Sequence, residues 1–505
     1  MSKIAKSVLQ LDGRDNVGVA LAAMAANAEI GRNDIAARQP IPAGHKIALR
    51  AIAENEPILK YGQAIGLASE AITAGSHVHT HNIIAEAAST HSTSRLLSPI
   101  KPKRRAEFRG FRRASGRVGT RNYIGIVCSV NCSATVAKAI AASFDNDPRF
   151  AGEEGVDGVV AFTHTSGCGM SATGEGPDIL RRTLAGYVDH PNFGGVLVAG
   201  LGCEVMQPDL FLADSTADAD RVTKRLTIQN EGGTRAAIAE GRRLVEELID
   251  QLSSARREEV SAEHLVLGLQ CGGSDAWSGI TANPALGVAA DILVSTGGTV
   301  ILSETPEIYG AEQLLLDRAE NDQVRKDLLD RLAWWQDYAA RNGAALNNNP
   351  SPGNIAGGLS TILEKSLGAV VKSGHSPLRR VYRYAQPIDE KGFVFMDSPG
   401  YDPCSATGQT AAGANILAFT TGRGSVFGSK PAPCIKLASN AEMARRMEED
   451  MDIDCSPVLE TGNIEEMGER IFELLLDVAS GRRSKSEELG LGDLEFVPWQ
   501  MGAVL

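Results

Sequence analysis

A short apolar run that ends in a glycine-rich loop recurs along most of this chain, and the loops carry polar or sulfur side chains. The runs occupy residues 123–127, 158–162, 196–200, 265–269, 299–302 and 416–419. Each is short and rich in β-branched residues, which is typical of a buried strand. Helical patterns separate most of the runs, at 134–144, 234–252 and 312–341. Strands that alternate with helices predict an α/β fold of parallel sheets covered on both faces.

The chain is long enough for several domains. With 505 residues, 43% of them hydrophobic, we expect about two to four at roughly 100 to 200 residues each. Residues 1–94 are short alternating segments broken by Gly and Pro, which predicts a small β-rich domain. Residues 95–121 are crowded with Lys and Arg around Pro99 and Pro102 and predict a basic linker. The remainder is predicted to form two catalytic α/β lobes, 122–346 and 347–505.

Composition excludes several classes of partner. The formal net charge of −12 opposes nucleic-acid binding, because phosphate-binding surfaces are rich in Lys and Arg. No apolar run approaches the roughly 18 residues that cross a bilayer, and acidic residues replace the basic leader of a signal peptide. Eight cysteines in so long a chain form no disulfide framework. We therefore expect a cytoplasmic protein without a nucleic-acid or membrane partner.

Sulfur ligands follow several of the predicted strands. In open parallel sheets, ligands bind beyond the carboxyl ends of the strands. Four cysteines stand at or beside a glycine in these loops: Cys132, Cys168, Cys203 and Cys271. A single cysteine of this kind is usually an unreactive small hydrophobic residue. Four of them at the ends of separate strands are harder to explain by packing, so we interpret them as site-lining residues or metal ligands.

Histidines in the small domain suggest a second group of ligands. His77, His79 and His81 alternate with other residues, and in an extended strand residues two apart project from one face. Three imidazoles on one face suit a divalent ion such as Fe(II), Mn(II) or Zn(II) with positions open for substrate. His45, after a Pro-Ala-Gly turn, is a candidate fourth ligand. The alternative is an exposed polar strand face.

At these residues the sequence resembles the altronate/galactarate dehydratase family over nearly its whole length. The motifs are Gly-His-Lys at 44–46, His-Val-His-Thr-His-Asn at 77–82, Gly-Thr-Arg-Asn at 119–122, Gly-Leu-Gly-Cys-Glu at 200–204, Cys-Gly-Gly-Ser-Asp at 271–275, Asn-Pro-Ser-Pro-Gly-Asn at 349–354 and Thr-Gly-Arg-Gly at 421–424. The resemblance implies an N-terminal SAF-type β-clip domain joined to a larger catalytic region. It also implies a divalent metal and loss of water from a sugar acid to give a 2-keto-3-deoxy acid.

The triple-histidine string resembles the altronate branch of that family, so altronate is the first substrate and galactarate the alternative. Fe(II) is the first metal that the resemblance implies, and Mn(II) is the second. The four cysteines remain alternative ligands, and an iron–sulfur cluster stays open.

The expected reaction removes a weakly acidic proton next to the substrate carboxylate, and cations must absorb the charge that develops. Arg121 and Arg423 have forked donors suited to a carboxylate. Asn122, within the same motif as Arg121, joins them as a candidate substrate-binding residue. Three further polar residues are predicted to hydrogen-bond the polyol chain: Ser274, Thr281 and Asn283.

A base with a pKa near neutrality is also needed, and His164 is the candidate because it follows a predicted strand. Glu204 and Asp275 are alternative bases, or the acid that protonates the departing hydroxide. Each could instead cap a helix or brace a loop.

Two rival functions remain at the level of sequence. A sulfo-lyase that expels sulfite from a sulfonated hydroxy acid such as sulfolactate would use related residues. A carbohydrate-binding module on an inert α/β body would not concentrate Cys, His, Glu, Asp and Arg at five strand ends. The sequence leaves a homo-oligomer open.

Overall fold

The computed structural model describes residues 3–5, 7–31, 35–85, 106–150, 152, 155–215, 222–346 and 349–502. Strands and helices follow one another in the order that the apolar runs predict, and all six runs are strands. No helix in this described part is both long and apolar enough to span a membrane.

The N-terminal domain consists of short strands. They are β1 (Lys3–Ala5), β2 (Val8–Gln10), β3 (Val17–Ala20), β4 (Lys46–Ala48), β5 (Pro57–Lys60), β6 (Gln63–Ala68), β7 (His77–Val78) and β8 (Ile83–Ile84). They form two antiparallel sheets, ordered β1-β2-β3-β4-β7 and β5-β6-β8. Met24, Ile41 and Ile47 belong to a small apolar core of this domain. The small β-rich domain predicted from the sequence is therefore confirmed.

The predicted basic linker is structured at its described end. Strands β9 (Glu107–Arg112) and β10 (Val118–Gly119) form an antiparallel hairpin, which β15 (Glu258–Ser261) extends. Arg113 donates from Nε to the carbonyl of Pro191 at 2.8 Å. The prediction of a linker is thus wrong for 106–121, because β9 and β10 belong to a sheet whose apolar side chains are buried. The residues of the predicted linker from 95 to 105 lie outside the described part.

The second domain is a parallel α/β layer. Its strands are β11 (Tyr123–Cys128), β12 (Val159–Phe162), β13 (Phe193–Gly200) and β14 (Val222–Thr227), in the order β12-β11-β13-β14. Its helices are α1 (Ala134–Ala142), α2 (Glu175–Val188), α3 (Pro208–Leu212) and α4 (Thr234–Leu252). Nearly every residue of β11 and β13 is buried, as expected for strands with helices on both faces.

The C-terminal domain contains a larger parallel sheet. Its strands are β16 (Val266–Cys271), β17 (Thr299–Leu302), β18 (Leu378–Tyr382), β19 (Gly392–Met396), β20 (Ile416–Thr421), β21 (Cys434–Ala438) and β22 (Ile453–Asp454). Their order is β18-β19-β17-β16-β20-β21-β22. Its helices are α5 (Ala282–Ser295), α6 (Gln313–Leu316), α7 (Asp322–Arg341), α8 (Pro352–Ala356), α9 (Ile362–Val370), α10 (Asp402–Ala411), α11 (Ala441–Arg446), α12 (Val458–Thr461), α13 (Ile464–Ala479) and α14 (Lys485–Glu488).

The lobe boundary expected at 346/347 does not coincide with a sheet boundary. β17, before that position, pairs with β19 after it, and β16 pairs with β20. The two predicted lobes 122–346 and 347–505 are therefore corrected: the sheets separate between β14 and β16. The composition shift near residue 347 marks the connection after α7 and not a new domain.

One predicted helix is interrupted. The pattern over 312–341 divides into α6 and α7, and the side chain of Asn321 accepts a hydrogen bond from the Val324 amide at 3.0 Å. An Asn in extended conformation that satisfies a free helical amide starts a new helix there.

Two buried lysines fasten the N-terminal domain to the C-terminal domain. Lys46 and Lys60 each place Nζ 2.8 Å from a carboxylate oxygen of Glu364 on α9, and all three side chains are at most 1% exposed. Burial would raise the pKa of Glu364, but the two ammonium groups hold it far below its usual range. Lys46 also donates to the carbonyl of Gly358 at 2.7 Å.

We expect Glu364→Gln to lower the free energy of unfolding by about 3–5 kcal/mol, because two buried ammonium groups lose their counter-charge. Chemical denaturation at neutral pH measures this loss. Glu56→Gln is the matched control, since Glu56 pairs with Arg50 at the surface and should contribute no more than about 1 kcal/mol. Equal effects of the two substitutions would contradict the buried interface.

A buried polar network around Asn415 joins the C-terminal parallel sheet to the hairpin that precedes the second domain. The amide of Asn415 donates to the carbonyls of Val118 and His264 at 3.0 Å each, and its side-chain oxygen accepts from the Val266 amide at 2.8 Å. Its backbone carbonyl accepts from the hydroxyl of Thr120 at 2.6 Å. One side chain thus connects the start of β16 to the strand β10 that precedes the second domain.

Candidate active site and metal centre

Three histidines of the N-terminal domain come together beside α8. Nδ1 of His45 lies 3.0 Å from Nε2 of His77, and the ring centroids of His45 and His79 are 4.8 Å apart. One nitrogen from each of the three rings lies within 4.8 Å of the others. On the far side, Nε2 of His45 is 3.4 Å from the carbonyl of Ala356.

The histidines converge through a turn and not through strand alternation. β7 ends at Val78, and Asn82 holds the following turn by accepting from the His79 amide at 2.9 Å and donating to the His77 carbonyl at 3.0 Å. The expectation of three histidines on one strand face is therefore wrong in its geometry. His81 is exposed, and its ring lies 5.4 Å from that of His77, outside the group of three.

The electrostatics of this group favour metal binding. Burial lowers the pKa of His45, and burial together with neighbouring positive groups lowers the pKa of His77 to about 3 and that of His79 to about 4. The imidazoles are therefore neutral at neutral pH, the form that binds a metal. Nδ1 of His79 is buried without a hydrogen-bond partner. An orphaned nitrogen among neutral imidazoles fits a divalent cation.

A second group of ionisable side chains lies at the carboxyl end of the seven-stranded sheet. Cys271 ends β16, and Glu304 and Glu307 follow β17. Lys372 donates to the sulfur of Cys271 at 2.9 Å and to Glu304 at 3.4 Å. Lys365 pairs with Glu307. We call these five residues the acid–lysine cluster; all are buried.

Burial and neighbouring charges shift the pKa values of this cluster and of Asp402 beside it. Burial, reinforced by Glu307, raises the pKa of Glu304 well above its ordinary range. Asp402, at the start of α10, is raised in the same way, to a pKa of about 6. Burial lowers the pKa of Lys372, but Cys271 and Glu304 more than compensate and raise it overall. Buried carboxyls with raised pKa values beside lysines are typical of acid–base sites.

One segment connects the two groups. Asn349 contacts Glu307 at 3.5 Å, Ala356 contacts His45, and Lys365 pairs with Glu307. A cavity of about 10 Å³, the size of one water molecule, is lined by Ser274, Asn283, Glu364 and Lys365 among others. The structure thus brings two of the predicted substrate-binding residues to the wall that carries Lys365.

The side chains of Asn283, Asp275 and Thr281 are occupied by protein partners. Asn283 donates to the carbonyl of Gly368 at 2.7 Å and accepts from the hydroxyl of Thr420 at 2.6 Å. Asp275 accepts from Ser278, Ser439 and Asn440 at 2.8–2.9 Å, which is the loop-bracing role. Thr281 donates to the carbonyl of Ser439 at 2.7 Å. Arg423 is exposed after β20, and its amide donates to the carbonyl of Gly273 at 2.8 Å.

His164 and Glu204 lie in the second domain and are held by its loops. Nε2 of His164 lies 3.0 Å from the carbonyl of Cys128, and Nδ1 accepts from the Ser166 amide at 3.2 Å. Burial lowers the pKa of His164 to about 4. Glu204 accepts from the Ser129 hydroxyl at 2.5 Å and the Gly202 amide at 2.6 Å, and these bonds lower its pKa despite burial. Neither side chain belongs to the histidine group or to the acid–lysine cluster.

Arg121 and Asn122 also serve the scaffold. Nε and Nη2 of Arg121 donate to the two carboxylate oxygens of Glu487 at 2.7 Å, and Nη1 donates to the Val478 carbonyl at 2.8 Å. The Arg121 side chain is 2% exposed. Asn122 donates to the Gly155 carbonyl at 2.6 Å. The forked donors that suggested a substrate carboxylate are thus already filled by a protein carboxylate.

Replacing Arg121 by methionine should therefore destabilise the fold, by about 3–5 kcal/mol at pH 7, since Glu487 loses its buried partner. Arg121 lowers the pKa of Glu487 in the folded state, so the pair stabilises the protein above the pKa of an unfolded Glu and loses this effect as pH falls. Denaturation at pH 7 and pH 4 should show a smaller difference between wild type and variant at the lower pH. A pH-independent difference, or a stable variant with a raised KM, would contradict this role.

The three remaining cysteines of the prediction lie apart from the acid–lysine cluster. Cys132, Cys168 and Cys203 are exposed, whereas Cys271 is buried. A cleft of about 770 Å³, bordered by Tyr123, Asp157, Lys430 and Arg482, lies at the amino ends of β11 and β12. It contains neither group of candidate ligands.

Sequence reasoning missed Glu304, Glu307, Lys365, Lys372 and Asp402. Two signals could have found some of them. Lys372 follows the small and apolar run 367–371, and Glu304 follows a strand in the same way as the predicted residues do.

Comparison with protein families assigns the whole architecture. Residues 6–86 match the altronate/galactarate dehydratase SAF domain, residues 110–253 match the second domain of D-galactarate dehydratase/altronate hydrolase, and residues 262–504 match the C-terminal domain of D-galactarate/altronate dehydratase. Altronate dehydratase of Bacillus subtilis (strain 168) is 34% identical over 493 residues, covering 96% of this chain and 97% of that protein. The chain belongs to the altronate/galactarate dehydratase family.

Other relatives agree with this membership. Galactarate dehydratase (L-threo-forming) of Escherichia coli (strain K12) is 38% identical over 467 residues, covering 89% of this chain and 88% of that protein. The (2R)-sulfolactate sulfo-lyase subunit beta of Chromohalobacter salexigens is 32% identical and covers 77% of this chain and 96% of that subunit. As a member of the altronate/galactarate dehydratase family, the chain is a carbon–oxygen hydro-lyase, and the N-terminal domain is its SAF domain.

Proposed function

We propose that the protein removes water from altronate, with galactarate as the alternative substrate, to give a 2-keto-3-deoxy acid in a reaction that needs a divalent cation. The observation that carries this proposal is the pairing of a neutral three-histidine group with a buried acid–lysine cluster, linked by the segment from Asn349 to Lys365. Fe(II) is the first cation that we propose and Mn(II) the second, because imidazole binds both.

His45, His77 and His79 would hold the cation. When bound, it supplies Lewis acidity toward carboxylate and hydroxyl oxygens of the substrate. The three rings are neutral, so they can bind a cation without first releasing protons, and His45 and His79 are buried while His77 is half-buried. Arg423 is exposed beside Gly273 and has no carboxylate partner among its described contacts, so it is the arginine that we assign to the substrate carboxylate.

The acid–base roles that the sequence suggested for His164, Glu204 and Asp275 pass to Asp402 and the acid–lysine cluster. We assign Asp402 as the base, since a pKa of about 6 makes its carboxylate more basic than an ordinary Asp while it is still ionised at neutral pH. It takes the proton next to the substrate carboxylate. Lys365 and Lys372 neutralise the charge that develops.

Glu304 completes the elimination. Burial, reinforced by Glu307, raises its pKa well above the ordinary value, which favours the protonated carboxyl that this step requires. As the carbon–oxygen bond breaks, that proton joins the departing hydroxide to form water, and the enol product rearranges to the keto acid. Ser274, which lines the adjacent cavity, would bind a hydroxyl of the polyol chain. Asn283 lines the same cavity, but Gly368 and Thr420 already occupy its side-chain amide.

The purified protein, reduced and loaded with Fe(II), is expected to convert altronate to a 2-keto-3-deoxy acid, detected as keto acid by mass spectrometry. Removing the metal with a chelator should abolish the reaction, and Fe(II) or Mn(II) should restore it. Galactarate and sulfolactate, assayed in parallel, separate the alternatives, since a sulfo-lyase would release sulfite. Full turnover by protein shown to be free of metal would contradict the proposed role of the histidines.

A further inference from the structure

Three of the eight cysteines are exposed, and all three follow neighbouring strands of one sheet. Cys168 follows β12, Cys132 follows β11 and Cys203 follows β13, and these strands are adjacent in the order β12-β11-β13. The strands are parallel, so the three thiols stand at the same carboxyl edge. The other five cysteines are buried, which is the usual position of a free cysteine.

Hydrogen bonds hold the three loops against one another. The Asn131 amide donates to the carbonyl of Ser166 at 3.0 Å, and the Met206 amide donates to the carbonyl of Gly167 at 3.0 Å. Gly167 has φ +101°, and a Cβ there would lie 2.3 Å from the Ser129 carbonyl oxygen. Only glycine permits this approach, so the residues next to Cys132, Cys168 and Cys203 form one packed surface.

The spacing of the sulfurs excludes one shared ion. Among the described residues, no group of three ligand atoms within 4.8 Å of one another includes any of these cysteines. Thiolates around a single tetrahedral ion stand about 3.8 Å apart, given a metal–sulfur bond of about 2.3 Å. A structural zinc site would also need a fourth protein ligand. Thiolates that bind different irons of a cluster stand farther apart than those that share an ion.

A polar donor already faces one of the sulfurs. Nε2 of Gln229 lies 3.5 Å from Sγ of Cys203. Hydrogen bonds to ligating sulfur stabilise the thiolate form and tune the cluster that it holds.

We propose that Cys132, Cys168 and Cys203 bind a cubane iron–sulfur cluster at this edge of the second domain. Two ferrous, two ferric and four sulfide ions combine with three thiolates, so that no net electron transfer is required and three thiol protons leave to solvent. Three protein thiolates leave one iron open to a small ligand. This site is separate from the histidine group, and evidence for or against the proposed function does not decide whether it binds a cluster.

Anaerobic reconstitution of the full-length protein with ferrous iron, ferric iron and sulfide tests the proposal. We expect about four irons and about four acid-labile sulfides per chain, with the broad visible absorption of a cluster. In the wild-type protein, an alkylating reagent followed by peptide mapping should find these three cysteines protected, and reactive again after the cluster is removed. This measurement needs no variant to fold.

The variants Cys132→Ser, Cys168→Ser and Cys203→Ser should each lose most of the sulfide, while Cys434→Ala, at a buried cysteine of β21, and His79→Ala should keep it. Thermal melting monitors the fold of each variant. Iron bound without sulfide, thiols that stay reactive after reconstitution, or sulfide that is lost only in His79→Ala would overturn the proposal.

Discussion

His79→Ala is expected to reduce kcat/KM by about 1,000-fold or more, equivalent to about 4 kcal/mol of transition-state stabilisation. The substitution removes the one imidazole of the group with a buried nitrogen that lacks a hydrogen-bond partner. It should also remove the bound cation, which elemental analysis of the dialysed protein measures. The fold should persist, because the turn around His79 is held by its backbone amide and Asn82.

His264→Ala is the matched control, since His264 lies two residues before β16 and outside the group of three. It should leave both metal content and turnover near wild-type values. His81→Ala should have a smaller effect than His79→Ala, because His81 is exposed. If His79→Ala retained metal and activity, the cation would have to bind elsewhere.

Lys372→Met is expected to reduce kcat by about 100- to 1,000-fold, since it removes a fixed positive charge from the place where negative charge develops. Methionine keeps most of the volume of the side chain, and the loss of Lys372 removes one of the groups that lower the pKa of the buried Glu304. KM should change much less than kcat. Steady-state kinetics with the metal-loaded enzyme separates the two parameters.

The control for burial is Lys436→Met. Lys436 is fully buried on β21, where it lies 3.5 Å from Asp450, and β20 separates its strand from β16. Both substitutions should cost stability, which denaturation measures, but only Lys372→Met should lower kcat at temperatures where both variants are folded. A parallel loss of kcat in the two variants would assign Lys372 to the fold alone.

Local pattern predicted much of the framework. The apolar runs identified β11, β12, β13, β16, β17 and β20, because strands buried on both faces must be continuously apolar. The same reasoning directed attention to the carboxyl ends, where the acid–lysine cluster lies. The histidines were predicted for a partly wrong reason, namely alternation along one strand. In the structure a turn brings His79 beside His77, and His45 from an earlier segment joins them.

The remaining features depend on contacts that no local pattern encodes. Arg121 binds Glu487, which lies 366 residues later in the chain, so its role in a buried ion pair is invisible from the neighbouring sequence. Lys365 and Lys372 reach Glu307, Glu304 and Cys271 through the fold of the C-terminal domain. Asp275 is a comparable case, because its partners Ser439 and Asn440 come from a loop far along the chain.

The polar network around Asn415 limits how this enzyme can move. Moving the residues that precede the second domain away from the C-terminal sheet would break the bonds from Asn415 to Val118 and Thr120, two buried residues. Asn415 therefore holds this segment against the start of β16 and β20. Tyr61 of the N-terminal domain is one wall of the water-sized cavity beside Lys365. The N-terminal domain thus borders this cavity as well as carrying the histidine group, so a substrate bound there, as the proposed function requires, would touch both domains.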